Sequence, residues 1–142
     1  MKCLIKCRSN SDYALQAYPS SDRVKLKPAN RGNADQIWNI LQEYQSNKYR
    51  IYSLNTNSCL EAFPILHEVY LKEHKADTRL INFGNWKVFS LLIYAVKLKL
   101  WAKDIWEAFI DENRIKPRPY DCWSGNQDWL LEETNLRTSV CN

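Results

Sequence analysis

The chain has 142 residues, of which 45% are hydrophobic and 25% are charged, and its formal net charge is +4. This composition is typical of a globular protein, and the length suits one domain with a buried core. The 20 Lys and Arg residues are spread along the chain and form no single basic block, which argues against a nucleic-acid surface. We therefore expect one domain over residues 1–142 that does not bind nucleic acid.

The first eight residues contain no apolar core of the kind that a secretory signal needs. The longest apolar stretch, residues 88–96, is far shorter than the roughly 20 residues of a membrane-spanning helix. These observations predict a protein that does not insert into membranes. It would be cytoplasmic, or secreted if this chain is the mature form.

The five cysteines are widely spaced and include no Cys-x-x-Cys pair, and both histidines stand alone. A metal site needs closely spaced ligands, so we predict none. Reduced structural thiols are one interpretation of the cysteines. The alternative is a bridge from Cys3 or Cys7 to Cys141, which would require an oxidising compartment.

One five-residue pattern occurs three times, at residues 14–18, 59–63 and 105–109. It consists of a small or apolar residue, a large apolar residue, Gln or Glu, Ala and an aromatic residue, with steps of 45 (59 − 14) and 46 (105 − 59). A second short match follows each copy, and a tryptophan then closes each unit. A period of this size predicts three repeats, approximately 1–46, 47–94 and 95–142.

Alternating apolar and polar residues predict short strands. Good helix formers at residues 36–48 and 104–114 favour helix locally, but the matching segments of the other units do not. We therefore predict four strands per unit, at residues 4–7, 14–18, 24–27 and 38–41, then 49–53, 59–63, 69–72 and 86–89, and finally 96–101, 105–109, 115–116 and 129–132.

Twelve strands in three units predict an all-β fold, the β-trefoil, with pseudo-threefold symmetry. One unit cannot bury its apolar face alone, whereas three units around an axis share one core. Large apolar residues at equivalent positions should meet there. The predicted core residues are Leu15, Leu60 and Trp106, then Val24, Val69 and Ile115, and then Trp38, Trp86 and Trp129.

The repeats resemble those of the ricin B-chain-like, or R-type, lectin family. Residues 59–62 and 105–108 are similar to the family's Cys-Leu-Asp-Val strand, and its Gln-x-Trp motif occurs at residues 36–38 and 127–129. The second unit keeps only the tryptophan, as Trp86. The resemblance spans the whole chain and implies a lectin that needs no cofactor. Its partners would be galactose-type or N-acetylgalactosamine-type glycans of glycoproteins or glycolipids.

In that family a carboxylate, an Asn or Gln, and an aromatic face together bind the sugar. The third unit matches this set best, because Glu107 has the carboxylate position and Asn126 and Gln127 match the Asn-Gln pair. Glu is one methylene longer than the family's Asp. Tyr120 and Trp123, in the loop between, are the candidate stacking residues.

The other two units are less complete. The first has Gln16 at the carboxylate position, followed by Asp35 and Gln36, while Tyr18 is assigned to the core. The second has Glu61 without an Asn-Gln pair. We rank the candidate pockets third, first and second.

A basic residue recurs near the end of the third strand of every unit, as Lys27, Lys72 and Arg118. One interpretation is that these long side chains lie along the barrel edge with their charges in water. The other is that they recognise a sugar bearing sulfate, carboxylate or phosphate.

No catalytic constellation is found in the sequence, so we predict that the protein is not an enzyme. Weak sugar pockets gain avidity from repetition, and a homodimer would add to it. The alternative function is a protein-binding β-trefoil such as a protease inhibitor. It would act through one exposed loop, at residues 64–68 or 117–123.

Overall fold

The computed structural model describes residues 1–42, 48–56, 58–63, 68–73, 81–90, 93–99, 104–119 and 127–134. These residues form twelve strands joined by turns and short 3₁₀ segments, which confirms the all-β prediction. Both segments with competing helical propensity contain strands. The strands are β1 (Lys2–Cys7), β2 (Tyr13–Tyr18), β3 (Arg23–Pro28), β4 (Trp38–Gln42), β5 (Lys48–Ser53), β6 (Ser58–Phe63), β7 (Glu68–Glu73), β8 (Ile81–Ser90), β9 (Ile93–Lys99), β10 (Asp104–Phe109), β11 (Arg114–Pro119) and β12 (Trp129–Glu133).

Six of these strands close into an antiparallel barrel. Its ring of pairings runs β1–β4, β4–β5, β5–β8, β8–β9, β9–β12 and β12–β1. The remaining strands form three hairpins, β2–β3, β6–β7 and β10–β11, with equivalent registers. Each repeat therefore contributes two barrel strands and one hairpin. The first strand of the third repeat, β9, begins at Ile93.

The barrel core contains six of the nine predicted core side chains. Leu15, Leu60, Val24, Ile115, Trp38 and Trp129 are all buried. The Trp38 indole also donates a hydrogen bond of 3.0 Å to the Leu15 carbonyl, so it ties β4 to β2 from inside. The other three predicted core side chains, those of Val69, Trp86 and Trp106, lie outside the described side chains.

The strand register corrects the position of the closing residue in the second repeat. Trp38 pairs with Cys3 of its own repeat, and the residue that pairs with the equivalent Tyr49 is Ile81. Trp86 lies five residues further along (86 − 81), where the register of β8 shifts between Gly84 and Lys87. β8 has 10 residues, against 5 in each of β4 and β12. Because of this extra length, spacing along the sequence identified the wrong residue as the equivalent of Trp38.

The hairpins of the first and third repeats turn in the same way. Each has a 3₁₀ segment, Pro19–Ser21 or Ile110–Glu112, that ends in a left-handed residue, Asp22 (φ 53°) or Asn113 (φ 54°). Asn and Asp tolerate this conformation better than most residues. The turn compensates for the scarcity of glycine.

The carbonyls of these two turn residues join neighbouring repeats. Leu26 N–H donates to the Asn113 carbonyl at 3.0 Å, and Leu71 N–H donates to the Asp22 carbonyl at 3.1 Å. The residue equivalent to Leu26 and Leu71 in the third hairpin is Pro117, opposite Trp106 in the register. Proline has no N–H, so this ring of bonds cannot be completed.

A buried carboxylate links the first and third repeats. Glu132 of β12 is 6% exposed and accepts a 2.6 Å bond from the Lys6 ammonium and another from the Arg31 guanidinium. Burial raises the pKa of Glu132, but the hydrogen bonds from Lys6 and Arg31 outweigh it and hold the pKa below its usual value of 4.5. The Glu132 carboxylate is therefore charged at neutral pH.

Cys3, Cys7 and Cys59 are buried free thiols, and burial raises the pKa of Cys3 to about 12. The structure thus agrees with reduced structural thiols at these positions and has no bridge from Cys3 or Cys7. Cys141 lies outside the described residues. Within the described ranges, no helix has the length and apolar character required to cross a bilayer.

The left-handed turn residue can be tested at Asn113. Asn113→Ala should lower the free energy of unfolding by about 1 kcal/mol, because the left-handed backbone conformation is less favourable for Ala than for Asn. Asn113→Gly is the matched control and should stay within about 0.5 kcal/mol of the natural protein. Urea denaturation measures both, and equal losses would contradict the assignment.

The Glu132 cluster makes a pH-dependent prediction. Because its pKa is lower in the folded state, Glu132 contributes stability above the unfolded pKa, and this is lost as pH falls through the folded pKa. Glu132→Gln should cost about 2 kcal/mol at pH 7, the range for hydrogen bonds to charged groups. Urea denaturation at pH 7 and at strongly acidic pH should show this difference shrinking in acid. The same loss at both would disprove it.

Candidate functional site

The candidate site of the first repeat is built on the buried amide of Gln36, which is 1% exposed. Its oxygen accepts a 2.7 Å bond from the Asn30 N–H, and its nitrogen donates to the Pro28 carbonyl at 2.9 Å. A backbone donor and a backbone acceptor therefore set which end of the amide is oxygen. The nitrogen also donates to the Gln16 side-chain oxygen at 3.1 Å.

The side-chain amide of Asn33 also donates to the Gln16 oxygen and so favours the same orientation of the Gln16 amide. The Asn33 side-chain oxygen accepts from the Asp35 N–H at 3.0 Å, so its nitrogen faces the other way and donates to the Gln16 oxygen at 3.3 Å. With two donors on its oxygen, half-buried Gln16 must direct its own NH2 group away from Gln36 and Asn33. Among the described residues, none accepts a hydrogen bond from that nitrogen.

The third repeat has the same frame with different chemistry. Gln127 is buried, and its nitrogen donates to the Glu107 carboxylate at 3.2 Å. Both residues lie 91 positions after their counterparts in the first repeat (107 − 16 and 127 − 36). A buried amide thus positions a half-buried polar group on the hairpin in both repeats. That group is an amide in one and a carboxylate in the other.

Aromatic rings lie on the same outer faces as Gln16 and Glu107. Tyr18 is half-buried and sits outside the core, with the Lys25 ammonium 5.1 Å from the centre of its ring. Phe109, its counterpart, has Lys116 at 4.7 Å and Arg118 at 5.4 Å. The assignment of Tyr18 to the core was wrong, because strand alternation turns Leu15 and Ala17 inward and Gln16 and Tyr18 outward.

The recurring bases are only partly described. Lys27 is half-buried, and Arg118 is exposed and covers the Phe109 ring, which fits a long side chain lying along the barrel edge. Lys25 and Lys116 are the bases directly opposite Gln16 and Glu107 in the register. Sequence reasoning missed both bases, although alternation along β3 and β11 would have found them.

Electrostatics differ between these faces. Lys116 forms an ion pair with Glu112 at 2.7 Å, and this hydrogen bond is the main cause of the lowered pKa of the exposed Glu112 carboxyl. No carboxylate among the described residues forms an ion pair with Lys25 or Lys27. The half-buried Asp35 accepts a 3.2 Å bond from the Asn55 side chain.

Several predicted site residues or their side chains lie outside the described part of the chain. Tyr120, Trp123 and Asn126 lie outside the described residues, and Glu61 and Lys72 lie on strands β6 and β7 with undescribed side chains. Of the proposed inhibitor loops, residues 64–67 and 120–123 also lie outside. The remaining part of the second loop, residues 117–119, belongs to strand β11, so it is not a free loop.

No protein-family model matches the chain, and no curated protein matches it. Solved structures do match. They include a mosquitocidal holotoxin (TM-score 0.75, 18% identity, 95% of this chain and 17% of that one). SeviL bound to the asialo-GM1 saccharide (0.70, 16% identity, 94% and 97%) and the BEL β-trefoil (0.71, 12% identity, 92% and 91%) also match. The fold is a β-trefoil, as predicted, and the chain spans only a small part of the holotoxin.

The role of the Gln36 amide can be tested by Gln36→Met, which keeps the length of the side chain. The variant should lower the free energy of unfolding by about 2–4 kcal/mol, because the Asn30 N–H and the Pro28 carbonyl lose a buried partner. Asn55→Ala, which removes the exposed bond to Asp35, should change stability by no more than about 0.5 kcal/mol. Thermal or urea unfolding measures both. Losses of equal size would refute a structural role for this amide.

Proposed function

We propose that the protein is a carbohydrate-binding lectin that recognises terminal sugars of glycans through shallow pockets on its repeats. The supporting observation is the equivalent pair of buried amides, Gln36 and Gln127, each holding a half-buried polar group on a hairpin. A buried side-chain amide is costly unless it is fully bonded. The arrangement leaves a polar group at a defined place on an outer face.

The third repeat is the proposed principal pocket. The Glu107 carboxylate is an acceptor-only group, which suits the O–H donors of two adjacent sugar hydroxyls. Phe109 lies two residues along the same face, and the part of its half-buried ring that Lys116 and Arg118 leave uncovered is the proposed apolar surface. Galactose and N-acetylgalactosamine are the proposed sugar types, with Asn126, Tyr120 and Trp123 as further contacts on the resemblance to R-type lectins.

Similarity in fold is compatible with this proposal. SeviL, which has nearly the same length as this chain, was solved with the asialo-GM1 saccharide bound. Shallow pockets of the proposed kind should each bind a sugar weakly. Repetition within the chain, and a homodimer, would supply avidity, as they do when linked sites engage one multivalent surface. Glycoproteins or glycolipids are the proposed partners.

Glycan-array binding of the natural protein and of Glu107→Gln tests the proposal. Gln still accepts a bond from Gln127 but presents one oxygen in place of two, so galactose-type signals should fall by about tenfold, equivalent to about 1.4 kcal/mol. Lys2→Gln, on an exposed residue of β1, is the control and should retain the full pattern. An array without galactose-type signals, or one unchanged by Glu107→Gln, would contradict the proposal.

A further inference from the structure

The first and third repeats present opposite hydrogen-bonding groups at the same place. In the first repeat, Gln36 and Asn33 both donate to the Gln16 oxygen, and backbone partners fix the orientation of each. The group that Gln16 offers outward is therefore an N–H donor. In the third repeat, Glu107 offers a carboxylate, which can only accept.

The hairpins that present these groups also differ in charge. The first, residues 13–28, has three basic residues and one acidic residue, Asp22, for a net charge of +2 (3 − 1). The third, residues 104–119, has three basic and four acidic residues, for −1 (3 − 4). The second, residues 58–73, has one and three, for −2 (1 − 3). Only the first hairpin is cationic.

The cations of the first hairpin lie beside Gln16. Lys25 is directly opposite Gln16 in the β2–β3 register, which puts the two side chains on one face with about 5 Å between their Cβ atoms. Lys27 follows on that face. Lys25 is exposed and Lys27 half-buried. Their ammonium groups have no ion-pair partner among the described residues, in contrast to Lys116, which is neutralised by Glu112.

We infer that the first repeat binds a sugar bearing an anionic acceptor group, a carboxylate or a sulfate ester, whereas the third repeat binds neutral hydroxyl pairs. The Gln16 N–H would donate to the anionic group, and Lys25 and Lys27 would supply opposite charge, since charge-assisted bonds are the stronger ones. The inference rests on the proposed function and assigns a distinct ligand class to one pocket.

One described side chain of the first repeat, the Asp35 carboxylate, would oppose an anion. It is half-buried, lies next to Gln36 and is bonded through one carboxylate oxygen to Asn55. For an acidic ligand its charge is repulsive, so removing it should strengthen binding. If the pocket instead held a neutral sugar through Asp35, removing that charge would weaken binding. Asp35→Asn therefore separates the two interpretations.

The test is a titration of the full-length protein, followed by NMR of side-chain amides, with methyl β-galactoside, galacturonate and galactose 6-sulfate. The two acidic probes should shift the Gln16 signals and bind there about tenfold more tightly than the neutral probe. Comparing the acidic probes shows whether carboxylate or sulfate is preferred. Binding should weaken with added salt, because exposed charges are screened.

Variants give the deciding outcomes. Gln16→Glu, which copies the third repeat and keeps an acceptor for Gln36 and Asn33, should weaken acidic-probe binding by more than about tenfold, and Lys25→Gln by several-fold. Asp35→Asn should strengthen it, and Lys2→Gln should leave it unchanged. Equal or tighter acidic binding by Gln16→Glu, or weaker binding by Asp35→Asn, would overturn the inference.

The two proposals fail in different ways. If methyl β-galactoside binds and Glu107→Gln weakens its binding by about tenfold, while acidic probes leave Gln16 unshifted, only the assignment of the first pocket is wrong. If no probe binds anywhere on the protein, the proposed lectin function is wrong as well.

Discussion

The buried side-chain amides of Gln36 and Gln127 are the constraint on which the candidate sites depend. Each is almost inaccessible to solvent, so each must find hydrogen-bond partners within the fold. Gln36 satisfies this requirement by joining the end of β3, the following loop and β2. The loop, the hairpin and the barrel strand that begins at Trp38 are thereby held together. The hydrogen bonds that satisfy these buried amides therefore also fix the positions of Gln16 and Glu107 at the surface.

One scaffold thus supports unequal chemistry. The barrel and the hairpins repeat closely, and the Gln-to-strand bond recurs in the first and third repeats. The residue at the surface end of that bond is free to vary, because Gln16 and Glu107 both accept from the buried amide. Exchanging an amide for a carboxylate therefore changes the hydrogen-bonding group at the surface without disturbing the frame. Symmetry in the core and asymmetry at the surface are compatible for this reason.

Much of the fold could be predicted from the sequence, since twelve strands and six core side chains follow from alternation and from the repeat. Trp86 was misassigned because sequence spacing does not reveal the length and register shift of β8. Tyr18 was placed in the core, although it is two residues from Gln16 on the same strand and therefore points outward with it. The orientation of the Gln16 side-chain amide could not be predicted from the sequence. It depends on backbone partners of Gln36 and Asn33 that only the folded loop brings together.

The most direct measurement is a titration with methyl β-galactoside that follows the side-chain NH2 signals of Gln127 and Gln16 in one set of spectra. The Gln127 amide donates to Glu107, so a sugar bound to that carboxylate must perturb it. The account predicts saturable shifts of the Gln127 signals with little change at Gln16. Shifts at Gln16 alone, or equal shifts at both, would contradict it.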